Sequence, residues 1–464
     1  MVCTMVGEGP PDAEEMHGLI AAFQKRVADT VALFDGFVAQ YQGNGVLVYF
    51  GYPAAREHDA ERALRAGLAI VEAVGARASI GIATGLVVFG EKPERVAIGE
   101  APGLAARLQV AAAPGEIVIE ASTRRLVGRM FDCRALDADK VRGLAQPVEA
   151  WRVLGETAGV SRFEAWRAGA LSPLVGRQEQ IDLLLRRWER AKLGEGRVVL
   201  LSGEPGIGKS RIAESLLARL ESEPHARLRY FCSPHHAHSP LYPVIAQLER
   251  AAHFGPDSDA GAKLDELEAL LEPTSRNVPR DLALIADLLS VPMDGRYPAL
   301  AVSPQQKREM TLAALLDQLD GLAAQDPVLI VFEDVHWIDP TSLDLLDRTI
   351  ARAANRPVLL VVTCRPEFQP TWIGEPHVTL LPLSRLGRSD STAIIGSVAG
   401  GKALPHAVIA QILARADGVP LFIEELTSSL LESGGLRETA NAYALDGPLP
   451  ELAIPTTLQA SLTA

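Results

Sequence analysis

Apolar and polar positions alternate on two different beats along this chain. In the first 157 residues, EEMHGLIAAFQKRVADTVALF carries apolar side chains at helical spacing. FVAQYQGNGVLVYFGYP then reads as two strands about a tight turn at Gly43-Asn44-Gly45, because glycine and asparagine tolerate positive φ. DAERALRAGLAIVEAV is a second amphipathic helix, ASIGIATGLVVFGE a further strand pair, LAARLQVAAA a third helix and EIVIE a strand. Helices and hairpins in this order predict a ferredoxin-like α+β sandwich.

Residues 158–172 read as a linker with some helical character. Beyond them the beat lengthens. RVVLLSG, LRYFCS, PVLIVFED, PVLLVVTCRPE and HVTLLPL are short apolar runs separated by amphipathic helices. Such runs predict a parallel sheet covered on both faces, so the fold class is α/β, with a core over 173–383. After Leu383 no further strand is expected: 384–440 reads as a helical lid and 441–464 as the opening of a further, incomplete domain.

Composition narrows the functional classes. The chain has 464 residues, 48% hydrophobic and 22% charged, as in a soluble globular protein. Its net charge of −13 argues against a general nucleic-acid or anionic-membrane binder. Four scattered cysteines (Cys3, Cys133, Cys232, Cys364) suggest neither a disulfide framework nor a zinc ribbon. With no signal-peptide pattern and no apolar run of membrane-spanning length, the expected location is the cytoplasm.

Gly203-Glu-Pro-Gly206-Ile-Gly208-Lys209-Ser210 fits G-x-x-x-x-G-K-[ST], following a strand and opening a helix. The glycines let backbone N–H groups curl round phosphates, and the helix start adds its positive dipole end. In that role Lys209 reaches the β- and γ-phosphates of ATP and the Ser210 hydroxyl ligates Mg2+. A second acidic element is expected at the end of a neighbouring strand, and Val328-Leu-Ile-Val-Phe-Glu333-Asp334 supplies it. Glu333 is assigned to the magnesium side and Asp334 to the base or water-positioning role; the reverse order also fits the sequence.

Leu174-Val-Gly-Arg177, the P-loop, FEDVHWIDPTS, VVTCRPE and the later GVPLF together resemble the AAA-like ATPase module of the signal-transduction ATPases with numerous domains, over roughly 173 to 440. The resemblance implies that Val175, Gly176 and Arg177 lie near the adenine, that Thr363 and Arg365 form a sensor strand facing the γ-phosphate, and that Gly418 and Pro420 sit on the lid side of the nucleotide. His336, Trp337 and Asp339 read as packing and loop-fixing residues.

FVAQYQGNGVLVYFG, ASIGIATGLVVFGE, AIGEAPGLAARLQ and VRGLAQPVEAWRVLGE resemble the catalytic domain of class III adenylate and guanylate cyclases, over 1–157. That chemistry drives the ribose 3′-hydroxyl onto the α-phosphate between two magnesium ions, each needing carboxylate ligands. By the resemblance, one aspartate ends the first strand and another sits in a G-D-G hairpin; here Thr4 and Asn44 stand there. The N-x-x-x-R transition-state pair reads Gly103 and Arg107, and Gln40 replaces the base-reading lysine. The resemblance also implies a site shared across a dimer, so a homodimer would hold no intact cyclase site. Other acids, Glu8 or Asp12, are the alternative metal ligands.

Cys232-Ser-Pro-His235-His236-Ala-His238 has zinc-type donors but in one short run, which favours a loop over a metal site. RRWERAK reads as a solvated helix face. The sequence therefore predicts a signal-transduction ATPase, a homodimer or larger homo-oligomer, carrying an inactive cyclase domain. The rivals are an active adenylate cyclase regulated by the ATPase module, and a non-hydrolysing ATP-binding adaptor or transcriptional regulator.

Overall fold

The structure is a computed structural model that describes residues 1–7, 12–53, 58–85, 87, 99–136, 148–157, 173–254, 258–293, 295–297, 302–432, 436–439 and 441–445. Glu8, the expected linker 158–172, the strand expected after Gly85, the VRGLAQP stretch and residues 446–464 lie outside these. The chain divides into two compact units, Met1–Leu171 and Ser172–Ala453.

The first unit is built on a seven-stranded mixed sheet, ordered β2-β3-β1-β4-β5-β7-β6. Its strands are β1 (Val2–Met5), β2 (Phe37–Gln42), β3 (Gly45–Tyr49), β4 (Ala78–Ile82), β5 (Ile117–Glu120), β6 (Phe131–Ala135) and β7 (Ala150–Glu156). Only β4 and β5 pair in parallel. Side chains alternate across the sheet. Ile80, Ile82, Ile117 and Ile119 face helices α1 (Ala13–Leu33), α2 (Asp59–Val74) and α4 (Ala121–Val127) in one core. Val118 faces α3 (Glu100–Ala111) in the other. Gly81 on that second face has a structural reason: a Cβ there would stand 2.1 Å from the Ala105 carbonyl of α3. The sheet is wider than a ferredoxin-like sandwich and carries helices on both faces. Helix α4 and strand β6 carry only short apolar patterns and were not expected. The brief β1 is central, paired with both β3 and β4.

The second unit is built on a five-stranded, all-parallel sheet in the order β12-β8-β11-β10-β9. They are β8 (Arg197–Ser202), β9 (Ala226–Phe231), β10 (Val328–Glu333), β11 (Val358–Cys364) and β12 (Val378–Pro382). Val199, Leu201, Val331 and Val361 pack on α5 (Gln178–Lys192) and α6 (Lys209–Arg219). Their strand neighbours Val198, Leu200, Ile330 and Leu360 pack on α10 (Pro304–Gln325) and α11 (Pro340–Ala353). Burial on both faces is why these strands read as continuous apolar runs. Between β9 and β10 the chain inserts α7 (Tyr242–Ala251), α8 (Ala260–Leu271) and α9 (Val278–Leu288), which with α10 enclose their own core. The RRWERAK face of α5 is mostly solvated, but its Trp188 is fully buried and donates to Glu223 at 3.0 Å.

The lid comprises α12 (Arg388–Val398), α13 (His406–Ala416) and α14 (Pro420–Glu432). One expectation fails here. Strands do not stop at Leu383: β13 (Leu436–Glu438) and β14 (Tyr443–Leu445) form an antiparallel ribbon. At three residues each, LRE and YAL are too short to show a period.

Candidate nucleotide site

Reversal of strand order puts β8 between β11 and β12, so loops from the carboxyl ends of the strands gather on one side. Crevices of this kind hold ligands in open α/β sheets. The loop after β8 needs its glycines. Gly206 and Gly208 have φ of +71° and +101°, where other residues are strained. Gly203 packs so closely on Ile207 that a Cβ would come within 2.8 Å of its side chain. Helix α6 begins at Lys209 with no side-chain cap on its first-turn N–H groups, which leaves them for an anion.

Lys209 is buried across the loop mouth, its Nζ donating to the carbonyls of Gly203 (2.7 Å) and Glu204 (3.0 Å). Burial lowers its pKa, while Asp334 opposes the shift. Ser210, next on the helix, lies beside Glu333, the last residue of β10, and its hydroxyl helps hold that carboxyl's pKa down. Glu333 is 3% exposed, and burial pushes its carboxyl up to about 7, against the pull of Arg229. Arg229 projects from β9, donates to Glu333 Oε1 at 2.9 Å and also pairs with Glu214 of α6. A hydroxyl and a buried carboxylate in contact beside an uncapped helix start are donors of the kind magnesium takes, so these residues fit Mg2+ with a triphosphate. Arg229 and Glu214 escaped the sequence reading: they lie 104 and 119 positions from Glu333, and no motif marks either.

Asp334 follows in the left-handed region, φ +57°, and its N–H donates to Thr363 Oγ1 at 2.9 Å. The fully buried Thr363 on β11 thus holds the bend that turns the chain out of β10. Two residues on, the Arg365 guanidinium lies over the Trp337 ring, 5.2 Å from its centroid. His336 packs against that ring at 4.2 Å. Burial first, then Arg365 and Lys209, push His336 down to about 3, so it is a neutral imidazole at physiological pH. Asp339 caps α11, accepting from Thr341 and Ser342, and also takes the Leu241 N–H at 3.3 Å.

Arg177 is 4% exposed and donates to the carbonyls of Ile207 (3.2 Å) and Ser384 (2.8 Å). Its guanidinium braces the P-loop against the segment after β12, a use the sequence reading did not foresee. Pro420 opens α14, where the following Leu421 N–H donates to Gly206 O at 3.3 Å. Gly418 allows this approach: its φ is +75°, and a Cβ would meet Leu386 O at 2.5 Å. Exposed Arg385 ties Glu204 of the loop to Asp417 of the lid. The structure therefore gathers Lys209, Ser210, Glu333, Asp334, Thr363 and Arg365, with Arg177 behind the loop and Pro420 above it.

In the first unit, Thr4 pairs with Gly45 across β1 and β3. Asn44 donates to Met5 O at 2.8 Å and accepts from the Met5 N–H at 2.9 Å. Thr4 and Asn44 are thus brought together with no carboxylate at either position. Asp12 caps α1 by accepting from Glu14 N–H. Gly103 and Arg107 are exposed on α3. Among the described residues no cluster of three or more His, Cys, Asp and Glu side chains is placed to hold a metal ion between them. In the CSPHHAH stretch His236 stacks on Tyr242 at 3.5 Å. No helix among the described residues is long and apolar enough to cross a membrane.

Residues 173–362 match the AAA ATPase domain family. A protein of Rhizobium meliloti (strain 1021), R02095, whose own role is uncharacterized, is 33% identical over 437 residues, 89% of this chain and 42% of that protein. Adenylate cyclase 1 of the same organism is 26% identical over 191 residues, 36% of this chain and 28% of the relative. The chain spans less than half the length of either. The crystal structure of the adenylyl cyclase CyaB from P. aeruginosa aligns over 34% of this chain and 93% of its own, at 23% identity and a TM-score of 0.30. Residues 173–362 of the second unit are thus similar to AAA ATPase domains, and the chain is similar along most of its length to a longer bacterial protein.

Proposed function

We propose that the second unit binds ATP with Mg2+ and hydrolyses it, and that the first unit is a cyclase-like module without cyclase activity. The observation carrying the first half is the contact of the P-loop Ser210 with the buried Glu333, beside Lys209 in the loop mouth. The phosphates would take the place of the Gly203 and Glu204 carbonyls on Lys209. Held by Ser210 and Glu333, Mg2+ would screen the charge between the β- and γ-phosphates. Asp334, turned out of the sheet by Thr363, orients the attacking water and takes its proton as the bond from the γ-phosphorus to the bridging oxygen breaks. Arg365 moves from the Trp337 face to the γ-phosphate, and the ADP formed leaves by way of the lid. Contact of Leu421 with Gly206 makes that lid responsive to what fills the loop.

For the first unit, Thr4 and Asn44 leave nothing to hold two metal ions at the position the cyclase reaction requires, and its role is then in dimerisation or regulation. A second reading, active adenylate cyclase, is favoured by the named activity of the relative Adenylate cyclase 1. Cyclic AMP formation by the purified chain decides between them. Phosphate release lost in Lys209→Ala, without cyclic AMP, supports the first reading; cyclic AMP from the unaltered chain supports the second. ATP binding without release of phosphate would instead indicate an adaptor.

A further inference from the structure

Two apolar cores approach each other beneath the edge strand β9. One lies between the sheet and helices α10 and α11, with Ile330, Phe332 and Leu346; the other lies within the inserted helices, with Val244, Leu248 and Leu316. They do not close on each other. A cavity of about 250 Å³ separates them, walled by β9, β10, β11, α7, α8, α10 and α11. Protein interiors pack as densely as organic crystals, and voids much larger than a water molecule are few. An apolar void of about 150 Å³ already admits benzene.

Tyr230 of β9 lines this space, its ring against Phe332 at 4.8 Å. Burial pushes its phenol up, with no neighbouring charge or hydrogen bond to oppose it. Among the described residues no group accepts a hydrogen bond from its hydroxyl. Of the other polar lining groups, Gln247 Oε1 accepts from the Arg229 N–H at 3.2 Å and the Thr349 hydroxyl donates to Leu345 O at 2.8 Å, while Gln318 of α10 also borders the space. Arg227, which also lines the cavity, is exposed and marks its solvent side. Half-buried Tyr230 thus turns a phenol with no protein acceptor toward open, largely apolar space.

We propose that this cavity is a binding site for a small, uncharged, largely apolar molecule of one or two rings, carrying one oxygen that accepts from the Tyr230 hydroxyl. Size follows from the volume, lack of charge from the largely apolar walls, and the acceptor from the Tyr230 hydroxyl, which no described residue engages. The site lies behind the sheet, apart from the P-loop, and does not depend on the nucleotide reading. It is nevertheless one residue from Arg229, which holds Glu333 on the other face of β9.

Acetophenone and ethylbenzene make the test, since they share a shape and differ in the acceptor. Both are titrated against the full chain by ligand-observed NMR. Saturable binding of both is expected, acetophenone the tighter. Tyr230→Phe keeps the shape of the cavity and should weaken acetophenone about fivefold while leaving ethylbenzene within about twofold. Leu319→Phe, which fills the space, should abolish binding of both; if that variant fails to fold, Tyr230→Phe carries the test alone. Absence of saturable binding to the unaltered chain would overturn the proposal and leave the cavity a packing defect. Equal acetophenone affinity in Tyr230→Phe would overturn the assigned ligand chemistry.

Discussion

Glu333 stands between Arg229 and Ser210 at 3% exposure, with its carboxyl raised to about 7 from an ordinary 4.5. Between those values the folded chain holds a proton that the unfolded chain has released, so this group's contribution to stability falls as pH rises through the window and then levels off. Glu333→Gln removes the penalty while keeping an acceptor for Ser210 and Arg229. Without nucleotide it should therefore melt above the unaltered chain at pH 8, by about 3 °C or more, with the gain shrinking toward pH 5. A gain independent of pH in thermal unfolding would mean that Glu333 is already comfortable as a carboxylate. Arg229 and Glu214 make a second, signed expectation. Glu214→Gln leaves the guanidinium wholly to Glu333 and should raise the Mg2+ concentration giving half-maximal ATP binding, about fivefold or more. Arg229→Met removes a buried positive charge and should lower it. General damage to the site would raise it in both, so a fluorescent-nucleotide titration distinguishes tuning from disruption.

At the scale of elements, one close approach and one cap are exposed to single substitutions. Gly81→Ala would drive a Cβ into the backbone of α3, 2.1 Å from Ala105 O and 2.3 Å from Gln109 N, and backbone cannot step aside as a flexible side chain can. Loss of roughly 3 kcal/mol or more in the first unit is expected in chemical denaturation. Asp339→Ala removes the cap of α11 and the partner of Leu241 N–H, and should cost about 1–2 kcal/mol without altering Mg2+ dependence. If Mg2+ dependence did shift, Asp339 would be acting on the acids rather than on the helix. The elements themselves were legible wherever burial on both faces made a strand continuously apolar, as in Val328–Glu333 and Val358–Cys364. They were not legible where the pattern was brief: Leu436–Glu438 and Tyr443–Leu445 have too few residues to show alternation.

For the whole molecule, the candidate site divides along the same line. The P-loop and the acids of β10 are contiguous in sequence because one loop and one strand end make them, and their chemistry could be named before the fold was known. Arg229, Glu214 and the brace made by Arg177 depend on which strands become neighbours, and strand order is set by tertiary packing. The same holds for the cavity under β9, which arises where two separately patterned cores fail to meet. Thr4 and Asn44 show the converse: residues 40 positions apart in sequence meet across β1 and β3, at the place where the resemblance to cyclases asked for two aspartates. The most direct test incubates the purified chain with ATP and Mg2+ and follows released phosphate and cyclic AMP in one reaction, with Lys209→Ala alongside. Phosphate without cyclic AMP, lost in Lys209→Ala, is the expected result. Cyclic AMP from the unaltered chain, or phosphate release that survives Lys209→Ala, would contradict it.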